Sequence, residues 1–222
     1  MPTLFGPGGI FDQGFDLGPF VTGTNSTDYF LLNHDYTTTV NLLGGNDRLW
    51  LYGHGDYEVD LGSGHDHVYV RGLGNVEVDA GSGLDRVYVE EMGTHDLDGG
   101  AGVDRLDFSK ANHGISFWQN RFSDINEEEP ISVFSNFENV VGSKFADKFV
   151  SVYDEDNVWS LGDGDNYAEL GGGTDIVYGG AGWDTIVTAW GERPDLCGFR
   201  HRQGYCQRKP MVCRSRRPAR LL

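Results

Sequence analysis

Cysteine is missing from the first 196 residues; all three copies, Cys197, Cys206 and Cys213, fall near the carboxyl end. The body of the chain therefore has no disulfide framework, and whatever stabilises it must come from elsewhere. No Lys or Arg precedes Arg48, and no long apolar run opens the chain, so the positive leading segment of a secretory signal peptide is not found there. No stretch is long and apolar enough to predict a membrane span. Neither H-E-x-x-H nor G-x-S-x-G occurs, and repeats begin near residue 21, which leaves no room for a catalytic domain within this chain. The one histidine cluster, His54, His65 and His67, reads as turn surface rather than as a catalytic group.

Positive charge is scarce and unevenly placed. Residues 1–191 carry 32 acids against 8 Lys/Arg, a net −24, whereas residues 192–222 carry 2 acids against 9 Lys/Arg, a net +7. Such a body repels nucleic acid, and its own repulsion opposes collapse unless cations are supplied. The basic tail has no C-x-x-C pair of the kind that holds zinc.

Glycine and aspartate are plentiful, and they recur on a period. GSGHDHVYV at 62–70 returns as GSGLDRVYV at 81–89, a step of 19. The same step links Asp28, Asp47, Asp66, Asp85 and Asp104 in one register, and Asn41, Asp60, Asp79 and Asp98 in another. A fixed period of this size predicts a solenoid, each coil burying its apolar face only against its neighbours. Within a coil, Gly-x-Gly-x-Asp is a turn and the alternation that follows is a short strand, as in Val68, Tyr69 and Val70. A second alternating run, Val76 to Ala80, makes a second wall. The inward rows are then Leu49, Val68, Val87 and Leu106 on one wall, and Val59, Val78 and Leu97 on the other.

Stacked coils put the first aspartate register into a column with rungs about 4.8 Å apart, where bare carboxylates repel one another. A cation is expected between them. Carboxylates plus the carbonyls of a glycine-rich turn form an all-oxygen shell, which suits calcium better than zinc or magnesium. The expected ligand turns contain Asp28; Gly45 and Asp47; Gly62, Gly64 and Asp66; Gly81, Gly83 and Asp85; and Gly100, Gly102 and Asp104. Asp28 is the weakest candidate, because its turn TNSTD lacks the glycines. After residue 148 the repeat resumes with a step of nine. This adds Asn157; Gly162, Gly164 and Asn166; Gly171, Gly173 and Asp175; and Gly180, Gly182 and Asp184. Two nonapeptides complete one coil there, so Asp175 should pair with Asn157 and Asp184 with Asn166, the neutral Asn oxygen weakening those sites. Asp163 and Asp165 stand nearby as possible compensation.

GSGHDHVYV, GSGLDRVYV and GAGVDRLDF resemble the nonapeptide G-G-x-G-x-D-x-U-x of the RTX (haemolysin-type) calcium-binding repeat family. Asp107-Phe108-Ser109 and Phe137-Glu138-Asn139-Val140 through Phe149 are similar to the segments that connect repeat blocks in that family. The resemblance implies an all-β fold, a right-handed parallel β-roll. It also implies several bound Ca2+ ions and a bacterial, extracellular location reached by the type I route, with folding on calcium after export. The role implied is structural, as a folding switch, spacer or surface contact, and not enzymatic. The basic tail departs from the family's usual carboxyl ends, so self-sufficient export does not follow from the resemblance.

The expected organisation is a cap or leader at 1–20, a block of 19-residue coils at 21–108, a connecting insert at 109–148, a nonapeptide block at 149–190 and an unordered basic tail at 191–222. In the first block the opposite turns carry Tyr57, Val76 and His95 where an aspartate would stand, so one edge should bind calcium and the other mostly should not. Trp50, Tyr69 and Tyr88 form an outward aromatic row, read either as a carbohydrate or surface contact or as packing between strands. Glu58, Glu77 and Asp96 form an outward acidic row on the second wall. Two further readings stand beside the structural one. The chain is then the carboxyl-terminal part of a larger secreted enzyme or toxin, or a calcium-dependent ice-binding solenoid. The latter is disfavoured because the outward rows are aromatic or acidic rather than threonine.

Overall fold

The computed structural model describes residues 10–11, 18–126, 132–152, 156–173, 175–188, 205–207 and 211–214. Among these there is no helix, and parallel sheets wind into a β-solenoid, as the repeats predict. The chain divides into two compact units, residues 1–107 with 131–138, and residues 108–130 with 139–222.

In the first unit, one wall stacks Ile10–Phe11, Tyr29–Asn33, Arg48–Tyr52, His67–Val70, Arg86–Val89 and Arg105–Asp107, all parallel. The second wall stacks Phe20–Thr22, Thr38–Asn41, Tyr57–Asp60, Val76–Asp79, His95–Asp98 and Ser132–Ser135. The register advances 19 residues per coil, pairing Val68 with Val87 and Val59 with Val78. A third, narrow sheet was not foreseen: the glycine turns themselves pair, as Gly44–Gly45, Ser63–Gly64, Ser82–Gly83 and Ala101–Gly102.

Alternation decides which side chains enter. Leu49, Val68, Val87 and Leu106 are fully buried, and Val59, Val78 and Leu97 face them from the other wall, as expected. Each wall adds another row, Leu51, Val70 and Val89 on the first, and Tyr57, Val76 and His95 on the second. Burying one Val or Leu contributes about 1.5–3 kcal/mol, so a coil only two rows deep depends on its neighbours. Register is tightly specified, since a slip of one residue would turn Arg86 and Tyr88 into the core.

The second unit pairs Asn139–Val141, Val158–Ser160 and Ile176–Tyr178 on one wall, and Ile115–Trp118, Lys148–Val150, Tyr167–Leu170 and Thr185–Thr188 on the other. Its step shortens from 19 to 18, as Lys148 pairs with Tyr167 and Tyr167 with Thr185. Its core is aromatic: Phe149 stacks on Phe117 with centroids 4.3 Å apart, and Phe108 meets Phe117 and Phe122 edge-on.

The stretch expected as a connecting insert contributes strands to both units. Ser132–Ser135 completes the second wall of the first unit, while Ile115–Trp118 and Arg121–Asp124 form an antiparallel hairpin in the second. The acidic run Glu127–Glu129 lies outside the described residues. Ile10–Phe11 likewise extends the first wall rather than forming an irregular cap. Of the tail expected to be unordered, Met211–Arg214 pairs antiparallel with Thr185–Thr188, and Tyr205–Gln207 pairs with Met211–Arg214.

Candidate metal centre

The turn before each first-wall strand needs glycine for two reasons. Gly62 has φ +84°, and a Cβ at Gly83 would overlap the Gly64 carbonyl and stand 3.2 Å from the Asp85 carboxylate. Turn carbonyls and carboxylates therefore share a space that only glycine leaves open.

Into that space the strands deliver the aspartate column. Asp47 Oδ1 accepts from the Asp28 backbone N–H at 2.7 Å, Asp66 Oδ1 from Asp47 N–H at 2.6 Å, Asp85 Oδ1 from Asp66 N–H at 2.8 Å, and Asp104 Oδ1 from Asp85 N–H at 2.8 Å. Each carboxylate thus clamps the coil before it. Asp47, Asp66, Asp85 and Asp104 are all fully buried. The second oxygens of Asp47, Asp66 and Asp85 are buried without a hydrogen-bond donor. Burial pushes Asp47 and Asp85 up to about 6 and Asp66 up to about 7, against the lowering effect of the backbone hydrogen bonds. The neighbouring carboxylates raise them further. Asp104 is raised too, by burial first.

The column closes differently at its two ends. Asp28 Oδ2 accepts from Thr24 N at 2.6 Å and from Thr24 Oγ1 at 3.1 Å, so local donors do what a cation would otherwise do. At the far end Asp104 N–H donates to Glu138 Oε2 at 2.7 Å. Glu138 was not among the expected site residues, since it stands 34 residues on, outside the 19-residue step.

Calcium fits this donor set. The oxygens without donors are carboxylate, and they belong to turns where glycine backbones pack too closely for any other residue. Among the described residues no three acidic, His or Cys side chains converge on one point. A cation there would accordingly draw part of its shell from the backbone carbonyls of Gly45, Gly64, Gly83 and their turn neighbours, as hard oxygen-seeking ions do.

Among the described residues the opposite edge of the first unit has no buried aspartate column, only Asp35 and Asp56, which accept from His54 N–H and Asn75 N–H at 3.0 Å each. Tyr57, Val76 and His95 point inward where the aspartates would be. Tyr57 Oη donates to the Tyr52 carbonyl at 2.6 Å, and burial pulls His95 down to about 4, so it is neutral. That edge is closed by packing.

In the second unit a column also forms, with members the sequence placed and one it did not. Asp147 N–H donates to Asn166 Oδ1 at 2.9 Å, and Asn166 N–H donates to Asp184 Oδ1 at 3.2 Å. Asp147 was missed, although it lies 19 residues before Asn166 and begins the same Asp-x-apolar phrase as Asp66. It is buried and pushed up to about 6 by burial, while Ile115 N, Ser143 N and Ser143 Oγ all donate to it. Asn166 Nδ2 donates to Asp184 Oδ1 at 2.9 Å, and Asn157 Nδ2 to Asp175 Oδ1 at 3.0 Å. These are the expected pairs, with the amide giving the carboxylate a donor. Gly162, Gly180 and Gly182 repeat the glycine cradle, since a Cβ at Gly180 would overlap the Gly162 carbonyl and one at Gly182 the Gly164 carbonyl. Gly173 has φ +91° in the opposite turn, which Gly171 opens. Asp165 Oδ1 is taken by Trp183 N–H at 2.7 Å.

On the outward side of the first wall, Trp50 stacks on Tyr69 at 5.1 Å and Tyr69 on Tyr88 at 4.6 Å, nearly parallel. The rings cover one another's faces, which is strand packing and leaves mainly edges for any partner. Compared with models of known families and with curated protein sequences, the chain matches none.

Proposed function

We propose that this chain is an RTX-type calcium-binding module that works outside the cell and folds on calcium after export. The reading rests on the column of Asp47, Asp66 and Asp85. Each has one oxygen tied to the backbone and the other buried without a donor, in a turn that only glycine fits. Calcium, when bound, would supply the positive charge and the oxygen contacts that this arrangement lacks. Asp47, Asp66, Asp85 and Asp104 would hold it together with the turn carbonyls, whereas Asp28, already satisfied by Thr24, contributes least.

Without a cation the buried carboxylates oppose stacking of the coils, so a calcium-poor cytosol keeps the chain open for threading through a channel. Outside, free energy of binding at sites absent from the open chain becomes free energy of folding. Affinities of about 10⁻⁴–10⁻³ M suffice for extracellular modules of this sort. The activity proposed is therefore structural.

The test is a calcium titration followed by far-ultraviolet circular dichroism, with magnesium as control and Asp66→Ala/Asp85→Ala beside the parent chain. A calcium-specific gain of β signal, weakened in the double variant, is the expected result. A chain that is fully β without calcium and indifferent to it would overturn the proposal.

A further inference from the structure

Residues 1–107 hold 18 acids but only four Lys/Arg: Arg48, Arg71, Arg86 and Arg105. All four lie on the first wall. Arg48, Arg86 and Arg105 share one outward row with His67, and Arg71 flanks the stacked Trp50, Tyr69 and Tyr88 from the other side. Two of the four are spent internally: Arg71 pairs with Glu90 at 2.8 Å and Arg105 with Asp107 at 2.7 Å. Arg48 and Arg86 are exposed and meet no carboxylate among the described residues. His67 stands between them in the same row, paired with Arg48 on one side and Arg86 on the other.

The second wall is the complement. Glu58, Glu77 and Asp96 form one exposed row at the same 19-residue step, and Asp60 and Asp79 stand exposed in another. Both rows rise by one rung per coil, about 4.8 Å. A basic and an acidic ladder of equal pitch stay in register along their whole length, which a ligand of unrelated spacing does not achieve.

We propose that the first wall of one molecule docks on the second wall of another copy, Arg48 and Arg86 facing the Glu58–Glu77–Asp96 row, with the edges of Trp50, Tyr69 and Tyr88 filling the contact. Trp, Tyr and Arg are the residues that dominate protein interfaces. Because the two faces differ, the contact is head-to-tail and does not close on itself at two copies. Six strands of mostly four or five residues give a footprint of roughly 25 Å by 13 Å, below the ~800 Å² per partner of a stable complex. The association is therefore weak, and salt screens it.

Sedimentation velocity of the full chain in calcium, over a range of concentrations and at low and high salt, tests this. The parent should form concentration-dependent oligomers that high salt dissolves. Arg86→Glu and Glu77→Arg, both exposed, should each lower the association at least tenfold while circular dichroism stays unchanged. Mixing the two variants should restore association, since the acid placed at 86 meets the base placed at 77 while the two untouched faces still pair. A parent that is monomeric throughout overturns the proposal, as does association that survives both substitutions. So does a monomeric parent that binds an immobilised polyuronate column and loses that binding in Arg86→Glu, which would assign the wall to a polyanion. None of these outcomes depends on the calcium titration, so this proposal and the metal reading fail separately.

Discussion

The aspartate column of the first unit and the Asp147–Asn166–Asp184 column of the second are built on the same bond, a backbone N–H of one coil donating to a side-chain oxygen of the next. They differ in the middle group. In the first unit the group after Asp47 is again a carboxylate, and a buried oxygen on each is left without a donor. In the second, Asn166 Nδ2 donates to Asp184, so an amide proton takes the place where a cation would be needed. The clamp between coils is thus separable from the charge. One column holds coils together with a carboxylate at every rung, and the other puts an amide between its two buried carboxylates, Asp147 and Asp184.

The harshest break of the comparison is steric. Gly64→Ala would drive a Cβ into the Gly45 carbonyl of the preceding turn. Two backbone segments cannot both yield, so the first unit should lose several kcal/mol, at the severe end for point substitutions. Chemical denaturation in saturating calcium would measure it, and a loss under 1 kcal/mol would show that the turn has more room than the glycines indicate. Next in size is Asp66→Asn, which would put an amide between Asp47 and Asp85 as Asn166 stands between Asp147 and Asp184. Metal-free stability should rise by about 1–3 kcal/mol, the cost of a buried group lacking its donor. Calcium affinity measured by calorimetry should fall at least tenfold. A fall in metal-free stability would mean that the amide cannot reach its neighbours.

The coil architecture was legible because its signal repeats: a 19-residue step fixes which side chains share a row, and alternation fixes which row faces in. Leu49, Val68, Val87 and Leu106 could be placed inside without any coordinates. What escaped was whatever left the period. Glu138 closes the aspartate column from 34 residues away, and Ser132–Ser135 completes a wall after a break in the repeat, so neither falls on a multiple of 19 from its partner. Asp147 was in period but hidden inside a segment read as a connector. The third sheet of paired glycine turns was invisible for another reason, since glycine carries no side chain to alternate.

The last break is the most diagnostic, because it separates charge from everything else in the column. Asp47, Asp66 and Asp85 have folded-state values raised to about 6, about 7 and about 6 from an ordinary 3.8. A group raised on folding favours the folded state while protonated, so its contribution is fully present below pH 3.8 and is lost as pH climbs through the folded value. The metal-free first unit should therefore weaken between about pH 4 and pH 7. Saturating calcium should flatten this slope by keeping the carboxylates ionised at lower pH, and protons should compete with calcium across the same window. Far-ultraviolet circular dichroism from pH 4 to pH 8, with chelator and with calcium, would read both as the amount of β signal. In Asp66→Asn the slope should shrink by the share that belongs to Asp66, the largest of the three. A metal-free β signal that grows with pH through this window would place the stabilising groups among depressed carboxylates elsewhere, and the column would then be no site of stored charge.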